Sequence, residues 1–440
     1  MKSSTSRGSI PAKLRGDSVA MTHSQERYVM LLVCFSVAYT PVVSAVIGVT
    51  RQFVILPFKL DSILVYVPLV YVALRTIPIM VKLFPWEELV PFLLLYAAIL
   101  FSYLQHATTS MLQAYYFNLF STALVSTLPY YLLFRVCRPN SRLLDYLGYA
   151  AIAIVAAQCI NIFMLDGLGD SIYSQFKSYQ TLPACAICAV QLFQGSSTGR
   201  RIGAGICFGA GLILLATTGA RGPLLVALLV FVFMFCTMSS FAGWKRALIA
   251  IVVTSIGVMA LLFYEDIMEL AFAVLSNFGV GTRLEIKFSN NSLFVDNARN
   301  DIAETCMQLI VNNPALGVGV GYEREVVAYS MGNSDIYGYF PHNIFIELAT
   351  QFGLVFGLAL SLALILFVVN AYRRATRSEK NILAILVAIG FCPLLFSGTY
   401  LDWPMLYALL GCCAMILRPL PGTKREQSSE FNRNIKKELS

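Results

Sequence analysis

The chain has 440 residues, of which 58% are hydrophobic and only 13% are charged, and its formal net charge is +8 at pH 7. Soluble domains carry about 25% charged residues, so this composition excludes an ordinary soluble protein and indicates an integral membrane protein. The positive charge requires no nucleic-acid partner, because basic residues that flank membrane helices on the cytoplasmic side account for most of it.

Long apolar stretches divide the chain into predicted membrane helices. A helix needs about 20 mostly apolar residues to cross the bilayer, and about 12 stretches approach this length. They are 28–49, 61–80, 87–105, 111–133, 146–165, 181–195, 203–218, 222–241, 247–264, 343–370, 381–397 and 400–417. Almost all are apolar on every side, unlike the alternating strands of a membrane β-barrel. We predict an all-α, polytopic membrane protein with about 12 transmembrane helices.

The positions of Lys and Arg predict the orientation of these helices. Basic residues cluster in the connections after even-numbered spans, as in Arg373, Arg374, Arg377 and Lys380, and in both terminal tails. Since Lys and Arg are retained on the cytoplasmic side, we expect both termini to be cytoplasmic. The predicted organisation is two cytoplasmic tails (1–27 and 418–440), helices one to nine (28–264), a large periplasmic loop (265–341) and helices ten to twelve (342–417).

The chain shows no pattern that indicates a cofactor. Most of its 11 cysteines lie in or beside apolar stretches, so we expect no disulfide framework. Cys185 and Cys188 have the spacing of a redox pair, but they lie within a predicted span. Zinc-ligand spacing, a Walker sequence and a haem-attachment motif are not found, and we expect neither metal nor cofactor.

The predicted loop 265–341 contains an ordered helical segment. The sequence "ARNDIAETCMQLIVNNP" repeats apolar residues at helical spacing and ends at Asn312, Asn313 and Pro314. The glycines of "ALGVGVGYERE" that follow permit a tight turn. They lack the strand-helix-strand context of a dinucleotide site, so we predict no nucleotide binding.

Three basic residues are predicted to meet on the outer face of the membrane: Arg221 before the eighth span, Arg299 in the loop helix, and His342 at the loop's return. A planar guanidinium can bind two oxygens of a diphosphate leaving group. An imidazole can accept the proton of an attacking hydroxyl at neutral pH. His106, also on the outer side, is an alternative base.

Each of these residues also has a purely structural interpretation. Arg221 could extend from the membrane to the aqueous interface, and Arg299 could lie on a solvated helix face. His342 could bind backbone groups at a helix start. Taken together, guanidinium groups beside an imidazole favour a site for a phosphate-bearing lipid and a hydroxyl acceptor.

Three motifs in this region resemble the O-antigen ligase/polymerase family. His342 and Asn343 are followed after nine residues by Gly353 and then by Gly357. Arg299 is followed fifteen residues later by Pro314 and "LGVGVG", and "TGARG" precedes the eighth span. Together they cover residues 215–360. The sequence departs from the family in having three residues between the last two glycines, and in Ala220 and Ala303.

The resemblance implies an inverting, metal-independent glycosyltransferase. Its donor would be a glycan on undecaprenyl diphosphate, used at the periplasmic face of the bacterial inner membrane. His342 would activate or position the acceptor, and Arg221 and Arg299 would bind the diphosphate, with Arg283 and Arg324 as additional contacts. Membrane lipid would surround the protein, and a chain-length regulator protein is a further candidate partner.

The resemblance leaves two reactions open, and two other functions compete with it. A polymerase, which we favour, would extend a lipid-linked chain, whereas a ligase would transfer the glycan to lipid A core. A lipid-linked oligosaccharide transporter would concentrate charge at mid-membrane, but the predicted spans are nearly free of charge. A scaffold for the assembly machinery would not require the three basic residues.

Overall fold

The computed structural model describes residues 22–53, 86–165, 175–218, 221–238, 297–332, 336 and 339–419, with scattered positions between 67 and 78. The regular secondary structure of these residues is helical, and they contain no strand. The all-α prediction is therefore confirmed for the part of the chain that the structure describes.

The described helices are numbered here in chain order. They are α1 (His23–Phe53), α2 (Val90–His106), α3 (Ser110–Val136), α4 (Ser141–Cys159), α5 (Gln175–Gln194), α6 (Thr198–Thr217), α7 (Arg221–Met238), α8 (Asn297–Asn312), α9 (Glu323–Ser330), α10 (Ile344–Phe352), α11 (Leu354–Arg374), α12 (Arg377–Leu386) and α13 (Pro404–Leu417). A π-helical turn lies within α3 at Ala123–Thr127. The helix α12 continues through a π-turn, Val387–Phe391, and a 3₁₀ turn, Cys392–Leu395.

Several of these helices are long and apolar enough to cross a membrane. Seven segments of the described residues meet this condition: Ser24–Val49, Trp86–His106, Ser110–Val136, Ser141–Ile162, Thr198–Ala216, Leu354–Arg374 and Arg377–Leu395. Gly222–Thr237 and Pro404–Leu417 are shorter apolar helices. The multi-pass prediction is confirmed. The span 247–264 and most of 61–80 lie outside the described residues, so the count of about 12 helices stays a prediction, as does the orientation.

The helix α5 lies inside the bundle, although its sequence is too polar to be among those seven segments. It packs against α4, α6 and α7. Gln158 of α4 donates to Gln180 of α5 at 2.9 Å, and Gln191 of α5 donates to the carbonyl of Leu144 at 2.6 Å. Because an unpaired buried amide is costly, these bonds allow a polar helix to occupy the interior.

The predicted single span 343–370 is wrong, because the chain forms two helices there. α10 ends and α11 begins around Gly353, whose φ is 81°. A Cβ added to Gly357 would lie 2.5 Å from Cα of Ala349, so the start of α11 packs directly on the backbone of α10. The sequence of residues 343–370 is predominantly apolar, so apolar length alone did not predict the break between the two helices. Glycine permits both the positive φ at position 353 and the close backbone approach at position 357.

Candidate active site

His342 immediately precedes the helix α10 and has a strained backbone. Its φ is 52°, and no other non-glycine residue among those described has a positive φ. The next residue, Asn343, caps the helix, because its side chain accepts from the backbone N–H of Phe345 at 3.0 Å and of Ile346 at 3.4 Å. A left-handed conformation costs such a residue about 1–3 kcal/mol, and strained residues of this kind cluster at active sites and ligand-binding segments.

The imidazole of His342 is half-buried between an aromatic ring and a turn. Its ring centroid lies 4.2 Å from that of Phe340. Its Nδ1 lies 3.4 Å from the carbonyl oxygen of Ser397, a long hydrogen bond. Since a carbonyl only accepts, this contact places the hydrogen on Nδ1, and Nε2 of the neutral ring then carries the lone pair.

Arg299, in the first turn of α8, reaches the same turn from a different element. Its guanidinium NH1 donates to the carbonyl oxygen of Phe396 at 3.1 Å. Phe396 and Ser397 are consecutive, so the two predicted cationic residues bind neighbouring carbonyls. We call residues 396–400 the anchoring turn; it connects the 3₁₀ turn after α12 with the segment that leads into α13.

The helix α7 also begins beside the anchoring turn. Arg221 is its first residue. A Cβ added to the next residue, Gly222, would lie 3.5 Å from Cβ of Phe396 and 3.2 Å from the hydroxyl of Tyr179. The backbone at the "TGARG" motif therefore lies close to the turn that binds Arg299 and His342. Arg283, one of the two additional predicted diphosphate contacts, lies outside the described residues.

The glycine-rich segment that follows α8 docks on the end of α10. The backbone N–H of Val318 donates to Thr350 at 2.9 Å, and that of Gly319 donates to Gln351 at 3.1 Å. Leu354 donates in turn to the carbonyl of Pro314 at 2.9 Å. A Cβ added to Gly353 would lie 2.7 Å from the backbone of Ala315. The proline, glycine-rich and final glycine motifs are thus parts of one backbone-to-backbone contact.

Arg324 lies behind His342 and has only 3% of its surface exposed. Its guanidinium carbon lies 5.1 Å from the centre of the Tyr115 ring and 4.7 Å from that of Phe340. The ring of Phe340 also contacts His342. One aromatic side chain therefore separates the buried guanidinium from the imidazole, and cation–π attraction holds the guanidinium in place.

Two carboxyl groups that sequence reasoning missed lie in this interior. Glu323 and Glu347 are both 0% exposed. Glu323 accepts from the amide of Gln351 at 2.6 Å, and the Gln351 oxygen accepts from the hydroxyl of Tyr400 at 2.5 Å. Glu347 accepts from the hydroxyl of Thr399. These bonds connect α9 and α10 to the anchoring turn.

Burial controls the protonation of both carboxyl groups. It raises the pKa of Glu347 to about 8, although the positive charge of Arg324 acts in the opposite direction. Burial also raises the pKa of Glu323, with Arg324 again opposing the effect. The sequence carried one signal for Glu347, which is an acid within the predicted span 343–370. Acidic residues in such stretches are costly and usually functional.

His106, the alternative base, contacts the glycine-rich segment. Its ring stacks on that of Tyr322 with centroids 4.0 Å apart. A Cβ added to Gly319 would lie 3.6 Å from Nε2 of His106. The end of α2 thus supports the segment that leads to Arg324. Among the residues that the structure describes, no group of three or more His, Cys, Asp or Glu side chains is placed to hold a metal ion.

A comparison with known protein families matches a segment that contains three of the predicted site residues. No curated protein compared with the chain matches it. Residues 206–362 match the model of a family described as O-antigen ligase. The match runs from α6 into α11 and includes Arg221, Arg299 and His342. It overlaps the motifs in residues 215–360, and the predicted resemblance is confirmed. Over residues 206–362, the chain is therefore similar to the family described as O-antigen ligase.

Proposed function

We propose that the protein is a glycosyltransferase that polymerises oligosaccharide repeat units carried on undecaprenyl diphosphate. The reaction would be inverting and independent of metal and nucleotide sugar, and it would take place at the periplasmic face of the bacterial inner membrane. The observation that carries this proposal is the binding of Arg299 and His342 to the consecutive carbonyls of Phe396 and Ser397. This arrangement places an anion-binding group near a base.

In the proposed reaction, His342 acts on the acceptor sugar. With the hydrogen on Nδ1 directed to Ser397, Nε2 accepts the proton of the acceptor hydroxyl. The hydroxyl oxygen then forms a bond to the anomeric carbon of the donor. The bond from that carbon to the diphosphate oxygen breaks, and the diphosphate leaves with the electron pair. Attack from the side opposite the leaving group inverts the anomeric configuration.

Arginines would stabilise the charge that develops on the leaving diphosphate. We assign this role to Arg299, together with Arg221 and Arg283, because a guanidinium binds two phosphate oxygens in a fixed fork. For Arg324 we depart from the sequence-based prediction. Its burial between Tyr115 and Phe340 favours a supporting role beneath His342 over contact with the substrate.

A ligase is the second candidate, and one observation favours it. The family model that matches residues 206–362 is described as O-antigen ligase. The ligase would use the same donor but transfer the glycan to lipid A core. Deletion of the gene separates the two reactions. Loss of a polymerase leaves a single attached repeat unit, whereas loss of a ligase leaves bare core and polymer on the carrier lipid.

Purified protein tests the proposal most directly. It is incubated in detergent with lipid-linked repeat units, without metal or nucleotide, and the products are separated by size. The polymerase proposal expects a ladder of longer glycans. A transporter or scaffold would leave the repeat units unchanged, because neither forms a glycosidic bond.

A further inference from the structure

Glu347 places a carboxyl group one turn along α10 from His342. Its backbone N–H donates to the carbonyl of the cap residue Asn343 at 2.9 Å. Its side chain is 0% exposed. Burial of a carboxyl costs several kcal/mol before its partners are counted, and an apolar side chain would avoid this cost. The position of Glu347 therefore points to a role for its oxygen atoms.

Both carboxyl oxygens of Glu347 bind the end of the anchoring turn. The hydroxyl of Thr399 donates to Oε1, and the backbone N–H of Tyr400 donates to Oε2 at 3.4 Å. The Thr399 hydroxyl also accepts from the backbone N–H of Leu401 at 3.3 Å. The carboxyl thus fixes the backbone immediately after Ser397.

The other end of the anchoring turn is held by a single carbonyl. The N–H groups of Phe396, Ser397 and Gly398 all donate to Pro393, at 3.2, 2.9 and 3.0 Å. Pro393 belongs to the 3₁₀ turn that continues α12. The turn is therefore tied to α12 at its start and, through Glu347, to α10 at its end.

The two carbonyls that bind Arg299 and His342 lie between these attachments. A shift of the anchoring turn would move both partners, because each side chain is bonded to it. His342 is in addition joined to Glu347 through the first turn of α10. The position of Glu347 therefore affects both the His342 imidazole and the Ser397 carbonyl that the imidazole binds.

The charges around Glu347 explain how a carboxyl is retained there. The guanidinium of Arg324 and the carboxyl of Glu323 both act on it, with opposite signs. Asp402 and Tyr115 also interact with the Arg324 charge. One buried guanidinium cannot neutralise two buried carboxylates, so burial favours a protonated state for one of them.

On the basis of the proposed transferase function, we propose that Glu347 and Thr399 are positioning residues for the reaction. Their hydrogen bond holds the anchoring turn, and the turn holds Arg299 and His342 at their working separation. Neither Glu347 nor Thr399 contacts the substrate in this arrangement. A misplacement of about 1 Å can lower a rate by about 10²-fold, so loss of this bond should affect turnover strongly.

The test compares two substitutions at one position in the purified full-length protein. Thr399→Ser keeps the hydroxyl and should keep kcat within about 3-fold of the wild type. Thr399→Val is nearly isosteric but removes the donor, and kcat should fall by about 10- to 100-fold. KM for lipid-linked repeat units should change by less than about 3-fold in both, because ground-state binding is not removed.

Glu347→Gln tests the same bond from the other side. The amide keeps one acceptor oxygen, so kcat should fall by about 10-fold. The double variant Glu347→Gln/Thr399→Val should be no slower than the slower single variant, because the two changes break one interaction. The unfolding temperatures of the wild type, the two single variants Glu347→Gln and Thr399→Val, and the double variant measure this coupling independently of activity.

Two matched substitutions elsewhere serve as controls. Thr127→Val removes a buried hydroxyl that bonds within α3, to Ala123. Glu379→Gln changes a buried carboxyl that caps the start of α12 through Thr376. Both variants should keep kcat within about 2-fold of the wild type. They show how far the loss of a buried hydroxyl or a buried carboxyl affects folding in general.

Three results would overturn the proposal. The first is Thr399→Val with the kcat of the wild type. The second is a loss of activity in Thr399→Val that is explained by less folded protein and is as large in the control variants Thr127→Val and Glu379→Gln. The third is additive effects of the two single substitutions on the unfolding temperature. If wild-type protein forms no extended product, the polymerase function itself is refuted, whereas additivity of the unfolding temperatures refutes the positioning bond alone.

Discussion

Arg299 and His342 come from different elements and donate to the carbonyls of consecutive residues, Phe396 and Ser397. Neither residue needs to contact the other for the two to be held at a fixed separation. The anchoring turn supplies the geometry, and α8 and α10 supply the side chains. This relationship is the structural basis for assigning both residues to one site.

Substitution of His342 should abolish polymerisation while the protein remains folded. His342→Ala removes the base, and we expect kcat to fall by about 10²- to 10⁴-fold. His342→Asn is the sharper variant, because asparagine adopts positive φ more readily than alanine and so preserves the backbone at 52°. Product length and membrane abundance are measured together. Normal glycan ladders from either variant would contradict the role of the imidazole.

Arg299→Lys should be severely impaired although it retains the positive charge. An ammonium group is a point charge that cannot bind two phosphate oxygens in a fork, and we expect kcat to fall by about 10- to 100-fold. Arg200→Lys is the matched control, because Arg200 forms a partly exposed ion pair with Asp145 at the start of α6. Equal activity of the two variants in the polymerisation assay would show that charge alone suffices at Arg299.

Gly317→Ala should destabilise the protein more than Gly332→Ala. The two glycines have nearly the same positive φ, 69° and 66°. A Cβ at Gly317 would lie 2.5 Å from the backbone of Gln351, whereas no atom of the described residues lies within 4 Å of a Cβ at Gly332. Gly332→Ala should therefore show only the conformational cost of about 1 kcal/mol. Thermal unfolding of both variants measures the difference, and equal unfolding temperatures would contradict the backbone contact.

The stability of the protein should decrease as the pH rises towards 8. Burial raises the pKa of Glu347 from 4.5 to about 8, so the folded state binds more protons than the unfolded state between these values. Linkage then requires stability to fall with rising pH across this range. Glu347→Gln should reduce this pH dependence, because the amide does not titrate. Unfolding temperatures at pH 5.5, 7 and 8.5 measure the pH dependence, and Glu379→Gln is the control. If Glu347→Gln loses stability with rising pH as steeply as the wild type, the raised pKa does not belong to Glu347.

The sequence alone predicted the parts of the structure that rest on composition and local pattern. Apolar length predicted the membrane helices, and helical spacing predicted α8, including its end near Asn312. The chemistry of guanidinium and imidazole groups singled out Arg299 and His342 before any distance was known. What the pattern could not show was that one turn, far along the chain, binds both.

The features that sequence analysis missed depend on long-range contacts. The helix breaks at Gly353 within a predominantly apolar sequence, and the break is explained by the positive φ of Gly353 and the close approach of the Ala315 backbone. Arg324 was predicted as an additional diphosphate contact, and the sequence could not show that Tyr115 and Phe340 enclose it. Glu347 is an acid within an apolar stretch, but the sequence could not show that residues of the anchoring turn bind its oxygens. Burial and partners of this kind are properties of the fold and not of local sequence.

The central claim is that His342 and Arg299 act together in forming a glycosidic bond. Purified protein with lipid-linked repeat units, without metal or nucleotide, tests it when wild type, His342→Asn and Arg299→Lys are compared by product size. We expect long glycans from the wild type, essentially no extension by His342→Asn, and extension about 10- to 100-fold slower by Arg299→Lys. Long glycans from His342→Asn, or none from well-folded wild-type protein, would contradict it.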